Sequence, residues 1–400
     1  MTSQIHNVPP PTFLSLGFRP FFLLGALFAA ILIALWVPWF LGLIAVPSAF
    51  PPTAWHAHEL LFGFMPAIIA GFLLTAVPNW TGRPPVAGWQ LGALVALWLA
   101  GRLAVAVSSH LDPALTAALS ICFPIVLAAV IGREILAAKN FRNLKIVAVL
   151  IGLATADAFF HYEIWQFGRP KFSHTLAVAL VLILLMIIAG RILPFFTTNW
   201  LKQNRPGPLP QAFARFDIVA MLTSGTALLA WVFLPWMEQA SPWVRPLAGS
   251  AMLAAAALNF LRQARWTPHR TFAEPLLAIL HIAYLFVGLG FLLIGLSILG
   301  DNYEFATAGL HAWTSGAIGT MTLAIMTRVS RGHTGRALTA PAGTVVLYAA
   351  ILIAAAARIG AGLFPERTSI LLPISGLTWV VAFGGFAALY GSILMSPRVR

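Results

Sequence analysis

Charged side chains are scarce in this chain. Only 9% of its 400 residues are Asp, Glu, Lys or Arg, whereas 60% are hydrophobic. A soluble globular domain carries roughly 25% charged residues. The mean hydropathy of +0.88 points in the same direction. The composition therefore excludes a soluble domain of any size and favours a protein that lies within the lipid bilayer.

Cysteine is almost absent as well. The single cysteine, Cys122, lies in an apolar run, which excludes a disulfide framework and any zinc or iron–sulfur site built from cysteines. The residues before Phe18 are polar and rich in proline rather than a charged segment leading into a short apolar one. We therefore expect no cleavable signal.

Basic residues outnumber acidic ones and give a formal net charge of +13. This excess does not indicate a nucleic-acid partner, because the basic residues do not form one patch but recur between the apolar runs. A helix needs about 20 apolar residues to cross roughly 30 Å of hydrocarbon. The runs are too long for the strands of a membrane barrel and do not alternate.

The sequence thus predicts an all-α integral membrane protein, with residues 1–400 forming a single membrane domain. We predict twelve transmembrane helices over residues 20–45, 57–79, 86–108, 114–136, 145–166, 174–196, 215–237, 243–261, 273–298, 304–328, 342–362 and 370–394.

The distribution of Lys and Arg predicts the orientation of these helices. Most of the 24 basic residues, Arg262 among them, fall in one set of loops that also contains both termini. Arg102 lies inside a helix. Because cytoplasmic loops carry the excess of basic residues, we expect both termini to be cytoplasmic and the protein to lie in a bacterial inner (plasma) membrane. The opposite set of loops holds Arg169, Lys171, Arg245, Arg358 and Arg367.

A weak internal repeat relates predicted helices 2, 6 and 10. A histidine stands near the outer end of each, and a threonine follows it twenty-three residues later. The pattern predicts three repeats of four helices around a pseudo-threefold axis, and the alternative is chance recurrence in an apolar chain. The pairs are His58 with Thr81, His174 with Thr197, and His311 with Thr334.

Histidines inside predicted spans are candidate site residues, because ionisable groups are costly in hydrocarbon. His56 and His58 point about 200° apart on an α-helix, so they can serve two different centres. Glu59, three residues after His56, should share its face and act as an orienting partner or a proton relay. The alternative is an acid that stabilises the start of the helix.

His161 on predicted helix 5 follows Asp157 by one turn, so the two should share a face. Arg102 on helix 3 should lie at similar depth, where it could pair with Asp157 or receive a haem propionate. His311 lies about two turns into helix 10, and His174 lies nearer the interface. For these residues the alternative is a structural role, with hydrogen bonds to neighbouring helices.

His281, in the inner half of helix 9, could bind a second centre or hydrogen-bond Tyr284 one turn later. The other five candidates should cluster at one membrane face, and imidazole without thiolate suits copper, haem iron or zinc. We assign no role to His6, His110 and His269, and His333 is as consistent with a solvated loop as with a site. The five are His56, His58, His161, His174 and His311.

Several long motifs resemble the NnrS family over essentially the whole chain. The resemblance implies a membrane protein that contains haem, expected to be b-type, and copper, and that takes part in the response to nitric oxide. It carries the family histidines over to His56, His58, His281, His311 and, less surely, His161 and His333, without saying which bind haem and which copper. The motifs are WHAHELLFGF at 55–64, AGFLLTAVPNWTGRPP at 70–85, GRILPFFT at 190–197, LHIAY at 280–284 and LHAWTSGAIGTMTLAIMTRVSRGHTGR at 310–336.

From the histidines and the resemblance together we expect a protein that binds or converts nitric oxide, or a similar small ligand, and so limits nitrosative damage. Its partners would be the lipid bilayer and a membrane electron donor, with no nucleic acid. Whether the protein turns over is left open. The alternatives are a transporter of a metal or small solute, and a haem sensor without turnover.

Overall fold

The computed structural model describes residues 11–239 and 241–399, so His6 lies outside the described residues. All regular secondary structure in this part of the chain is helical, and it contains no strand. The predicted all-α fold class is confirmed.

The main helices are labelled α1 to α12 in chain order. α2 and α10 are composite, since each contains a π-helical segment within an unbroken helix. The helices are α1 (Phe18–Phe40), α2 (Pro52–Thr81), α3 (Trp89–Ala106), α4 (Pro113–Ala137), α5 (Leu144–Phe167), α6 (Ser173–Asn204), α7 (Arg215–Met237), α8 (Val244–Ala264), α9 (Pro275–Gly300), α10 (303–333), α11 (Ala342–Leu363) and α12 (Thr368–Met395).

Eleven of these helices in the described part of the chain are long and apolar enough to cross a membrane, which makes this a multi-pass membrane protein. α10 is not among them. It is unbroken and long enough, but Gly, Ser, Thr and His311 interrupt its apolar character. Four bounds differ from the predicted ones by five residues or more: α2 begins at Pro52 rather than 57, α10 ends at His333 rather than 328, and the ends of α1 and α6 differ as well. α1 ends at Phe40, just before Gly42 with its φ of 75°, and α6 continues past residue 196 to Asn204.

The π-helical segments of α2 and α10 each begin directly after a histidine. In α2, residues Glu59–Phe64 follow His58, and in α10, residues Ala312–Gly319 follow His311. The backbone N–H of Met65 donates to the carbonyl of Leu60, five residues back. Short π segments inside α-helices often mark functional sites. Both therefore draw attention to the histidines that precede them.

The centre of the bundle is formed by α2, α6 and α10, which surround a common cavity of about 60 Å³. Its walls are apolar side chains such as Met65, Val181 and Ile318, with Thr322 as the polar exception. α9 packs closely on α10, since a Cβ added at Gly290 would lie 2.2 Å from Trp313. Small residues allow such close approach of helices in membranes. The two helices that carry His58 and His311 thus form two of the walls of this cavity.

Several basic residues assigned to loops lie inside helices. Two of them, Arg262 and Arg358, correct the sequence-based distribution of charge because they face the interior of the bundle. Arg262 is in α8 with only 1% of its surface exposed, and it forms an ion pair with Asp217 of α7. Arg358 is in α11 and lines a cavity within the bundle. A buried cation can be held in hydrocarbon when it is paired or faces a cavity, so neither residue reports on loop orientation.

Candidate functional site

Three buried side chains from two helices meet near the start of α2 and form what we call the His–Asp cluster: His58, Asp157 and His161. Nε2 of His58 lies 2.9 Å from Oδ1 of Asp157, and Nε2 of His161 lies 3.5 Å from the same oxygen. One ligand atom from each residue lies within 4.8 Å of the other two. The spacing is short enough for all three to contact one ion.

A ring of hydrogen bonds supports this cluster. Oε1 of Glu59 lies 2.8 Å from Nδ1 of His58 and accepts from Nη1 of Arg102 at 2.5 Å. Nη2 of Arg102 donates to Ser120 at 3.0 Å, and Ser120 donates to Oδ2 of Asp157 at 3.0 Å. Each carboxylate therefore has a cationic or hydroxyl partner, as burial requires.

Aromatic rings separate the cluster from its surroundings. The ring centroids of Phe50, Phe62 and Phe160 lie 5.1, 5.3 and 5.2 Å from that of His58. Gly63 keeps the position of Arg102 open, because a Cβ added there would lie 2.8 Å from Nη1. The result is a compact polar site enclosed by apolar groups.

The donor set of the cluster fits a metal ion. Nε2 of His161 is buried and has no hydrogen-bond partner in the described structure, although buried polar atoms are normally satisfied. Two imidazoles and a carboxylate, without thiolate, are ligands that copper and zinc accept. Glu59 holds the second nitrogen of His58, as outer carboxylates do for metal-ligating histidines.

A second pair of histidines faces a different cavity, here called the Trp36 cavity. His56 and His311 line it together with Arg358, and its volume is about 50 Å³. The ring of Trp36 stacks on His56 with centroids 3.8 Å apart. Nδ1 of His56 is buried without a hydrogen-bond partner, and Nδ1 of His311 lies 3.4 Å from the hydroxyl of Thr314.

His281 lies apart from both groups. Its Nε2 is 2.9 Å from the hydroxyl of Thr197, and its Nδ1 is buried without a partner. It lines an open apolar groove of about 330 Å³, which His269 also lines. Tyr284 does not contact His281. It donates to Asn259 at 2.7 Å and accepts from Arg262 at 3.0 Å.

The structure therefore does not bring the five outer histidines into one cluster. His58 and His161 belong to the His–Asp cluster, His56 and His311 line the Trp36 cavity, and His174 is in neither. The placement of His56 and His58 in different groups follows from their positions on opposite sides of α2.

The partners of Glu59 and Arg102 differ from those expected from the sequence. Glu59 contacts His58 rather than His56: its backbone is still α-helical, but its carboxylate reaches Nδ1 of the adjacent His58. Arg102 forms its ion pair with Glu59 and reaches Asp157 only through Ser120. Nor is His333 in a loop: it is the last residue of α10, and its ring lies 5.6 Å from that of Phe18.

Sequence reasoning missed Ser120 and Arg358. Ser120 gave no signal, because one serine in an apolar helix is common. Arg358 did give one: it lies four residues inside the predicted run 342–362 but was counted with the loops. An arginine inside a predicted span is a candidate site residue, as Arg102 is.

Comparison with known protein families gives a match over nearly the whole chain. A protein-family model described as NnrS protein matches residues 12–398. No curated protein matches the chain.

Proposed function

Because the chain belongs to the NnrS family, we propose that it is a haem- and copper-containing membrane protein that binds or converts nitric oxide and so limits nitrosative damage. Family membership places it among membrane proteins of the nitric oxide response. The observation that carries the finer proposal is the His–Asp cluster, whose ligand atoms lie within 4.8 Å of one another in a buried position.

We assign copper to the His–Asp cluster. A copper ion would supply a centre at which nitric oxide can bind and exchange an electron. His58 offers Nε2, His161 offers its unpartnered Nε2, and Asp157 offers a negative charge. Glu59 would accept a hydrogen bond from Nδ1–H of His58, which leaves the lone pair of Nε2 for a metal ion. Arg102 balances the charge of Glu59.

We choose the residue that would hold haem from the space beside the other candidate histidines. Sites for drug-sized ligands and cofactors measure roughly 300–1,000 Å³, so the Trp36 cavity of about 50 Å³ does not fit a porphyrin. The groove beside His281, about 330 Å³, is large enough. Its apolar walls, including Phe260 and Phe272, suit a porphyrin face. His281 would hold haem there and supply an axial ligand.

Access for nitric oxide needs no polar channel. Nitric oxide is small and neutral and partitions into lipid, and the cluster is enclosed by Phe50, Phe62 and Phe160 rather than by a water-filled path. Such a wall passes an apolar gas while it keeps out water and ions. Electrons for turnover would come from a membrane electron donor.

We also propose that α10 crosses the membrane as a twelfth span and that both termini are cytoplasmic. Its length supports this, as does its position beside α2 and α6 around the central cavity. The matching π segments after His58 and His311 support the assignment of α2 and α10 to corresponding places in a repeat. α6 contains no π segment in the described structure, so the repeat is imperfect.

Replacing His161 by Gln should lower copper affinity without unfolding the protein. Nε2 of His161 has no hydrogen-bond partner to lose, so the ion pairs around Asp157 remain. Removal of an outer partner of a metal ligand already costs roughly 10–100-fold in affinity, and loss of a ligand should cost at least as much. Metal analysis of the purified protein, with the paramagnetic resonance of Cu(II), measures this.

His174→Gln is the matched control, since His174 is a half-buried histidine whose Nδ1 is also unpartnered, but it lies outside the cluster. It should keep full copper content. Equal copper in both variants and the wild type would show that the cluster is only an ion-pair network, and zinc in place of copper would contradict the metal assignment.

Replacing His281 by Ala should remove the haem absorbance, whereas His269→Ala in the same groove should leave it unchanged. Both residues line the groove, but only His281 is buried in a helix and positioned by Thr197. The visible spectrum and a pyridine haemochrome assay give the haem content. Loss of haem in His311→Ala with retention in His281→Ala would place haem at the Trp36 cavity instead.

Two assays separate the proposed function from the alternatives. A transporter predicts solute flux into vesicles, but the central cavity is small, about 60 Å³, and almost entirely apolar. A sensor predicts binding without consumption. Steady loss of nitric oxide in the presence of an electron donor, measured with an electrode, would favour conversion over sensing.

A further inference from the structure

A large groove at the inner ends of α2, α5, α6 and α7 has no part in the proposed metal chemistry. Its volume is about 1170 Å³. It lies at the end of the bundle where Asn140 and Arg142 of the α4–α5 connection meet residues 210–213 of the α6–α7 connection. The sequence assigns this end to the face that carries the excess of basic residues.

The groove is strongly cationic. Arg142, Lys145, Arg191 and Arg262 line it, and no Asp or Glu does so in the part of the chain that the structure describes. Arg262 is neutralised by Asp217. The other three cations form no ion pair with any described residue. Three uncompensated positive charges therefore share one recess.

One of these cations is held in place by a chain of hydrogen bonds. Nη1 of Arg191 donates to Oδ1 of Asn143 at 3.2 Å, and Asn143 donates to Oδ1 of Asn140 at 3.1 Å. Asn140 in turn donates to the carbonyl of Trp80 at 2.9 Å. Asn143 is only 2% exposed. The guanidinium is thus fixed by a buried amide.

The opposite wall of the groove is apolar and faces outward. Phe195, Phe213, Ile218 and Leu222 line it, and their exposed fractions are 59%, 65%, 47% and 66%. In a bilayer such side chains contact acyl chains. The groove therefore joins a fixed cationic end to a lipid-facing apolar side.

We propose that this groove binds an anionic phospholipid, with the phosphodiester at the three cations and the acyl chains along the apolar wall. Basic pockets between transmembrane helices on the cytoplasmic side are known to bind anionic lipid head groups. A free anion would use only the cationic end and leave the apolar wall without a partner. No histidine lines the groove in the described structure, so haem would find no axial ligand there.

The test uses the full-length purified protein with equal amounts of phosphatidylglycerol and phosphatidylcholine, and native mass spectrometry to count retained lipids. Each basic residue near an anionic surface contributes roughly fivefold in binding. We expect the wild type to retain phosphatidylglycerol over phosphatidylcholine by about tenfold or more. The variant with Arg142→Gln, Lys145→Gln and Arg191→Gln should retain the two lipids almost equally.

The matched control replaces three exposed cations at the same end that do not line the groove: Lys202→Gln, Arg205→Gln and Arg215→Gln. It should keep the wild-type preference. Equal loss in both variants would mean general surface attraction, and an unchanged preference in the first variant would overturn the proposal. Displacement of phosphatidylglycerol by millimolar inorganic phosphate would show a free-anion site instead. Copper and haem content should be unchanged in both variants, so this result is separable from the proposed function.

Discussion

Replacing Arg102 by Gln is expected to lower the free energy of unfolding by about 3–5 kcal/mol. Arg102 donates to Glu59 and to Ser120, and its side chain is only 5% exposed. Without it, Glu59 keeps only the imidazole of His58, which also contacts Asp157. Breaking a buried ion pair from one side leaves a charge that neither water nor a partner stabilises.

The double variant Glu59→Gln with Arg102→Gln is the control, because it removes both charges of the pair. Replacement of a whole buried pair is often close to neutral, so the double variant should recover most of the lost stability. Unfolding in mixed micelles of increasing SDS content, followed by circular dichroism, measures both. A double variant as unstable as the single one would show that the ion pair is not the source of the effect.

Replacing Asp157 by Asn should abolish copper binding while the fold survives. The amide side chain has nearly the same shape as the carboxylate but no charge, and the substitution leaves Glu59 paired with Arg102 and with His58. The cluster would then lose the carboxylate that both histidines contact. Because the negative charge of a ligand is lost, the loss of affinity should exceed the roughly 10–100-fold typical of an outer partner.

Ser120→Ala gives the graded comparison for this variant. Ser120 donates to Asp157 but contributes no ligand to the cluster, so its loss should weaken copper binding by about 10–100-fold. Competition with a copper chelator of known affinity ranks the two variants against the wild type. Copper retained in full by Asp157→Asn would exclude the His–Asp cluster as the copper site.

The fold class could be predicted from sequence because bilayer thickness fixes the length of an apolar run. The angular separation of His56 and His58 could be predicted in the same way, since the helical repeat is fixed. The partner of Glu59 could not be predicted from the sequence. Its carboxylate is drawn to Arg102 of α3 and to the adjacent His58, and the position of α3 is decided by helix packing.

Contacts between helices could not be predicted from the sequence, for a different reason. Arg102 and Asp157 do lie at similar depth, but whether they meet directly or through Ser120 depends on the rotation and spacing of α3, α4 and α5. A similar limit applied to His174 and His311, which were expected to join His58. Depth along a helix follows from sequence number, whereas azimuth relative to neighbouring helices is decided by packing.

The π segments also affect the helical register of α2 and α10. Each widened turn accommodates a surplus residue, so a regular α-helix with the same number of residues would turn His58 by about 100° relative to the rest of α2. The direction in which the His58 side chain points is thus set by this widened turn of the backbone as much as by the identity of any side chain.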